Sequence, residues 1–549
     1  MATKVKKGPI LVIVAIVLAI VGYVFYPKLQ GRLPGGAKGA GSTDVEPEKP
    51  KAPDDAQGKT GKTEPPVPAK PGFQAAAKNL IRVAGDPWSG YSTFRDNPDF
   101  TKRLKKDGLE CSYVEVLDQA ERFKAMKDGK IDVAVTTVDA YLSAGADAGY
   151  PGLIVLFIDE SDGGDALVLG PKLKSLDDLT NGVKIAYAEN TPSEYLLNYI
   201  EARFKSVKLS ELTLVPQPDA KPAYDKLKAG EVDAAIVWEP YTSNAVNEIP
   251  GSTRIFDTGK GSQEVIMDVA VASRDMIQNR RAELQKFMND YFETIEYYKN
   301  QKARHIEFLA KDGGVDNETA GRILSGILFL DLPQNAFNWF GLGDQPERVS
   351  KQILKTAKVL MATGKMHATT EVNINLFDDS FMKELKKVAE DQRKAFKELD
   401  PAISAEIEKP KEQVIEFAKI DPKRVDEAMV KVGSLDVKTI LFRSGSADLD
   451  PNAQMILSDF AQIMREFPAY YCRVDGHTDN VGNAEQNRKL SEKRAWVIAD
   501  YLINKQGFDR NKLIVNGFGP DRPMADNATE DGRARNRRTD FILVKPRQP

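Results

Sequence analysis

Residues 183–204, VKIAYAENTPSEYLLNYIEARF, pass from an apolar β-rich run through a short polar turn into an amphipathic helix. VKIAYA reads as a strand, Pro192 suits the first helical turn with Asn190 or Thr191 as its cap, and a helix to about 204 follows. A strand that feeds a helix in this way is half of a βαβ unit. Downstream the order continues with LTLVPQ, a helix near 222–229 and VDAAIVW at 232–238. An earlier set has the same order: LIRVAG from Leu80, a helix near 97–107, SYVEVL, a helix near 120–128 and IDVAVTT. Both sets end in Gly-x-x-Asp-x-Ala before an apolar strand, Gly129 to Ala134 and Gly230 to Ala235. Either one alone is ordinary turn chemistry, with Gly as helix C-cap and Asp opening a strand. Together the two sets predict a duplicated lobe with parallel α/β sheets.

Length and composition bound the rest. A chain of 549 residues predicts three or four domains, and 77 Lys+Arg against 80 Asp+Glu gives no global attraction to polyanions. His305, His367 and His477 are scattered, so a multi-His metal centre is not available and a His-based triad has few options. Cys111 and Cys472 fall in separate predicted domains, which excludes a disulfide scaffold and a CxxC metal site. No catalytic residue, metal or cofactor is assigned, and the chain is expected not to be an enzyme.

The N-terminal run 10–26, ILVIVAIVLAIVGYVFY, is uncharged and close to the ~20 residues that span a bilayer. Lys4, Lys6 and Lys7 precede it, which predicts a single-pass helix with a cytoplasmic N-terminus and the bulk of the chain outside. A cleaved signal peptide is the alternative. The run's length and its bulky end at Tyr23, Phe25 and Tyr26 favour an uncleaved anchor in 1–27. Eight Pro and eight Gly between 28 and 72 predict a disordered linker over 28–77.

The motifs at 183–204, DKLKAGEVDAAIVWEPYTS at 225–243 and IDVAVTTVDAYL at 131–142 resemble the extracytoplasmic solute-binding proteins of ABC importers, in the branch for nitrate, sulfonates and thiamine-pyrimidine-like compounds. The resemblance implies a two-lobed periplasmic-binding-protein fold of type II over 78–395, with VIMDVAVA at 265–272 as a returning strand. Asp162-Gly163-Gly164-Asp165 reads as the crossover hinge. In such folds ligands sit beyond the carboxyl ends of the strands. Candidate solute-binding residues there are Trp88, Ser89 and Tyr91 after the first strand, Thr137 and Asp139 before a helix, Asn190, Thr191 and Ser193 at a helix start, and Trp238 and Glu239 at a strand end. The amides around Asn190 to Ser193 are placed to hold a carboxylate, sulfonate or phosphate, with simple capping as the competing reading. Against an anion, Asp86, Asp139, Glu189 and Glu239 make the rim acidic, which argues against a small multivalent anion and leaves room for an amine-bearing or zwitterionic ligand.

Helical spacing at 381–399 and the breaks at Pro401, Pro410 and Pro422 predict a helical connector over 396–434. Beyond it, strands are expected at 437–442, 471–475, 513–516 and 538–544, with helices at 451–466 and 485–504, giving an α/β sandwich over 435–549. ILFRSGSADLDPNAQMIL, VDGHTDNVGNAEQNRKLSEKRAWVIADYL, VNGFG and DNATEDGRARNRR, in that order, resemble the OmpA-like C-terminal peptidoglycan-binding domain. Asn487, Leu490, Ser491 and Arg494 share one helix face, and Asp479 lies in the loop before it. An Asp and a fork-shaped Arg can grip the ammonium and carboxylate of a diaminopimelate stem peptide. The resemblance gives Asp479 and Arg494 that role, with Thr478, Asn480 and Asn487 as further donors or acceptors. An internal Asp479–Arg494 salt bridge is the competing explanation. Arg533, Arg535, Arg537 and Arg538 invite nucleic acid, but 437–549 carries only 18 Lys+Arg against 15 Asp+Glu, so none is expected.

The whole reads as an inner-membrane, wall-attached solute-binding protein for uptake or sensing, with a membrane permease as a further expected partner. A structural wall tether with a degenerate binding domain is one alternative. A MotB-like B subunit of a membrane motor complex is another, disfavoured because no carboxylate interrupts 10–26.

Overall fold

In the computed structural model, Gly129 and Gly230 both close a helix at φ +70°, where a side chain would be strained. The Asp three residues on then clamps the neighbouring strand: Asp132 accepts the Arg82 N–H at 2.9 Å and Asp233 accepts the Lys184 N–H at 3.0 Å. The described residues are 73–74, 77–259, 262, 264–343, 346–367, 372–399, 417–440, 442 and 446–547, all within one compact unit, Ala69–Pro549. The expected anchor at 10–26 and nearly all of the expected linker lie outside them. No helix among the described residues is long and apolar enough to cross a membrane.

The first lobe contains β1 Leu80–Gly85, α1 Pro98–Lys106, β2 Glu110–Glu115, α2 Gln119–Lys127, β3 Val133–Thr137, α3 Val138–Asp147 and β4 Gly152–Ser161. The second contains β5 Asp165–Leu169, β6 Lys184–Ala188, α4 Pro192–Arg203, β7 Thr213–Gln217, α5 Ala220–Lys228, β8 Ala234–Trp238 and β9 Thr253–Asp257. Strands β10 Met267–Ser273 and β11 Ile327–Phe329 return to the first sheet, whose order is β2-β1-β3-β10-β4-β11; the second sheet is β7-β6-β8-β5-β9. In each, three parallel strands in the same relative order meet an antiparallel neighbour, β10 or β5. The duplication predicted from the two Gly-x-x-Asp sets is therefore present as topology. The chain crosses between lobes at 162–164 and again between β9 and β10. Helices α6 Arg281–Asn300, α7 Val349–Ala362 and α8 Ser380–Leu399 follow, and α7 packs on both α3 and α4.

The two clamps differ in burial, which sets unequal expected costs. Asp132 is buried, takes Arg82 Nε and NH2 at 3.0 and 2.9 Å, and has Arg280 at 3.3 Å. Asp132→Ala leaves the buried Arg82 guanidinium without its carboxylate and should cost about 3–5 kcal/mol. Asp233→Ala removes a backbone hydrogen bond near solvent and should cost about 1 kcal/mol. Denaturant unfolding of the two variants checks the difference.

The C-terminal domain contains β12 Met429–Ser434, α9 Pro451–Arg465, β13 Tyr471–His477, α10 Ala484–Gln506, β14 Leu513–Gly519, α11 Glu530–Asn536 and β15 Thr539–Pro546, with sheet order β12-β15-β13-β14. One expected strand is corrected. Residues 437–440 and 442 form no strand; the edge strand is β12, inside the segment read as connector. The apolar residues of VKTILF pack instead of pairing, Ile440 in the core and Phe442 against Arg494 at 5.0 Å, and a short apolar run does not distinguish the two.

This domain also rests directly on the second lobe. Glu466 accepts from Arg203 Nε and NH2 at 2.9 and 3.0 Å and from the Tyr199 hydroxyl at 2.6 Å. Phe467 packs among Tyr199, Phe204 and Phe256 with ring centroids 6.2–6.4 Å apart. Asp177 accepts from the backbone and hydroxyl of Ser434 and pairs with Lys431, while Lys545 donates to the carbonyls of Arg254 and Ile255. One apolar cluster runs through both domains.

Candidate functional site

Because β1, β3 and β6 end on the same side as their following helices begin, the strand ends of the two lobes face each other. Between them lies a pocket of about 330 Å³. The first lobe contributes Asp118, Gln119, Thr137, Asp139 and Asp147; the second contributes Asn190, Thr191, Glu194 and Tyr195; Lys365 follows α7. Four of the ten expected solute residues, Thr137, Asp139, Asn190 and Thr191, line this pocket.

Local chemistry positions them. Thr191 caps α4 as expected, its hydroxyl accepting the Ser193 N–H at 3.2 Å. Asn190 adopts φ +57°, tolerable for Asn, and its N–H donates to Glu194 Oε2 at 2.9 Å. Glu194 also pairs with Lys365 at 2.6 Å. Asp139 sits in the first turn of α3, buried, and burial pushes its carboxyl up to about 7 against the opposing pull of Thr137 and its own amide.

The other six expected solute residues are not among those lining this pocket. Tyr91 is fully buried and donates its hydroxyl to Asp268. Asp268 and Asp159 stand opposite each other on β10 and β4, and burial followed by their mutual repulsion raises the Asp268 carboxyl well above its ordinary range. Trp88 lies beside Asp159; it and Ser89 are half-buried, with Ser89 opening a tight helical turn. Ser193 is buried inside α4. Trp238 packs partly against the second lobe's smaller apolar cluster, and Glu239 accepts from the Ser243 hydroxyl at 2.8 Å with Arg254 at 3.6 Å. Tyr195, Asp118, Asp147, Glu194 and Lys365 were not singled out from the sequence, because helix and loop acids look alike until the lobes meet.

At the other end, β13 delivers Thr478 and Asp479 into the loop before α10. The Thr478 N–H donates to Gly519 and its hydroxyl to the Asp479 carbonyl at 2.8 Å, while Asn487 Nδ2 braces the same loop through Val481 O at 2.9 Å. Asn480 is exposed at the loop tip. Arg494 is buried, its Nε donating to Ser446 O at 2.9 Å. It lines a pocket of about 90 Å³ with Phe442, His477, Arg537, Arg538 and Thr539. Burial lowers the Arg494 guanidinium's proton affinity, with Asp479 offsetting part of this and Arg537 adding to it. The partner of Asp479 in a direct ion pair is Arg537, at 2.8 Å, and Arg537 reaches on to Glu530 at 2.9 Å. His477 stands 3.2 Å from Asp540, which also accepts from Arg538. Three guanidiniums thus line a small cavity that offers cationic donors to a carboxylate, and Asp479, paired with Arg537, stands next to it.

Residues 441–537 match the OmpA family and residues 102–310 the NMT1-like family. Outer membrane porin F of Pseudomonas aeruginosa is 40% identical over 106 residues, 19% of this chain and 29% of that protein. Putative lipoprotein YfiB of Escherichia coli is 36% identical over 107 residues, 20% of this chain and 67% of that protein. Peptidoglycan-binding protein ArfA of Mycobacterium bovis is 36% identical over 104 residues, 19% of this chain and 32% of that protein. The chain spans less than a third of the length of porin F and of ArfA. The periplasmic aliphatic sulphonate binding protein SsuA of Escherichia coli superposes at a TM-score of 0.43 with 18% identity, over 55% of this chain and 99% of that one. The chain belongs, through its C-terminal domain, to the OmpA family, and carries an NMT1-like domain ahead of it.

Proposed function

We propose that this chain holds a solute-binding domain against the cell wall of the periplasm, anchored in the inner membrane by residues 10–26 with its N-terminus cytoplasmic. The C-terminal domain grips the diaminopimelate stem of peptidoglycan, Arg494 and Arg537 taking the carboxylate and Asp479 the ammonium. Thr478 and Asn487 fix the loop that presents Asp479, and Asn480 meets the glycan or peptide at the loop tip. The middle domain captures a small solute between its lobes, without catalysis, for delivery to an ABC-type permease or for sensing. The observation that carries this reading is the convergence of Asp479, Arg494 and Arg537 at one end of an OmpA-family sheet. Co-sedimentation of the full chain with purified sacculi tests it, with a diaminopimelate-containing stem peptide as competitor. Retention that the peptide displaces is expected; retention that ignores the peptide, or none, overturns the wall-binding role.

A further inference from the structure

The pocket between the lobes faces two helix N-termini, of α3 and α4, which by themselves would favour an anion. Both are already covered by carboxylates of the chain. Glu194 accepts the Asn190 N–H, and the amides of Ser193, Glu194 and Tyr195 are taken by Thr191. On α3, Asp139 lies over its own amide. The pocket's single lysine, Lys365, is paired with Glu194. Asp118, Asp139 and Asp147 are left, and none of the three has a cation partner among the described residues. Asp139 is 9% exposed and Thr137, 2% exposed, lines the same wall with its Oγ1 buried and without a well-formed hydrogen bond. A buried carboxylate with no counter-ion calls for a donor from outside, and the buried Thr137 hydroxyl beside it, without a well-formed hydrogen bond, can accept from the same group. Tyr195 lines the opposite wall, and an aromatic ring suits a cationic neighbour. Among the described residues these carboxylates form no group that could hold a metal ion.

Building on the solute-binding reading above, we infer that the pocket between the lobes takes an organic ammonium, held by Asp139 and Thr137 against Tyr195, with Asp118 and Asp147 at the rim. The anion-binding chemistry first expected at Asn190 to Ser193 is performed by the chain's own Glu194.

Isothermal titration of the full chain at fixed ionic strength tests this with butylamine, putrescine and choline against ethanesulfonate, sulfate and acetate. Saturable binding of at least one amine probe and of no anion is expected. Asp139→Asn should weaken amine binding about tenfold or more, and the near-isosteric Thr137→Val several-fold. Thr137→Val keeps the result readable should Asp139→Asn fail to fold. Saturable anion binding that Lys365→Gln abolishes overturns the ammonium inference and leaves solute binding standing, as does amine binding that neither Asp139→Asn nor Thr137→Val weakens. No heat from any probe overturns the inference; a chain that also yields no bound metabolite on extraction and mass spectrometry overturns the solute-binding reading with it.

Discussion

Arg494→Ala is expected to abolish retention of the full chain on peptidoglycan sacculi. The side chain is buried, fixed at Nε by Ser446 O, rests on Phe442 and lines the small pocket. Truncating one partner of a desolvated, hydrogen-bonded charge pair costs about 2–5 kcal/mol, roughly 30-fold or more in affinity. Arg494→Lys keeps the charge and loses the fork, so it should recover only part of the retention. Asp479→Ala should be comparably severe for a different reason. It removes the ammonium acceptor and also releases Arg537, which then retains Glu530 alone. Co-sedimentation measures each variant, with near-ultraviolet circular dichroism confirming that the domain is folded. Retention unchanged in both alanine variants would remove these residues from the site.

Glu466→Ala is expected to cost as much stability as Asp132→Ala, and to do so between domains. One carboxylate there serves both guanidinium nitrogens of Arg203 and the Tyr199 hydroxyl, with side-chain exposures of 11% for Arg203 and 16% for Glu466. Breaking so buried a pair from one side costs about 3–5 kcal/mol, because Arg203 is left desolvated without its partner. The C-terminal domain should then separate from the second lobe, visible as an increase in radius of gyration by small-angle scattering and a lower denaturant midpoint. The pH dependence has a fixed sign. Burial raises the Glu466 carboxyl, but the charges of Lys355 and Arg203 and the hydrogen bonds of Arg203 and Tyr199 outweigh it and hold the group below its ordinary range. A depressed carboxyl contributes stability above its unfolded value, about 4.3, that is lost as pH falls through the lower folded value. Wild type should therefore lose its advantage over Glu466→Gln on acidification below about pH 4. A constant difference across that range would refute the assignment.

Some of the candidate site in the C-terminal domain was legible in the sequence and some was not. Asp479 and Arg494 follow from a motif confined to one loop and one helix, and their convergence needs only β13 and α10. Arg537 is 58 residues from Asp479 and was grouped with its neighbouring arginines as a charge run. Its ion pair depends on β15 pairing with β13, which no local pattern announces. The same holds between the lobes. Thr191 as a cap was readable from spacing, whereas the occupation of that helix start by Glu194 depends on a loop at φ +57° and on Lys365 arriving from α7. Trp88 and Tyr91 read as solute-binding candidates because aromatic residues suit both a cleft and a core. The buried Asp268 that claims Tyr91 comes from β10, 177 residues away.

The sequence by itself determined most of the order of strands and helices, the edge strand β12 excepted, the twofold use of one α/β lobe and the cap at Thr191. Those follow from hydrophobic period, glycine conformation and side-chain capping, all settled within a few residues of chain. Only the tertiary structure decided which acid meets which cation, and that the C-terminal domain sits on the second lobe. The Arg203–Glu466 pair spans 263 residues, and its energy depends on two finished surfaces excluding water together.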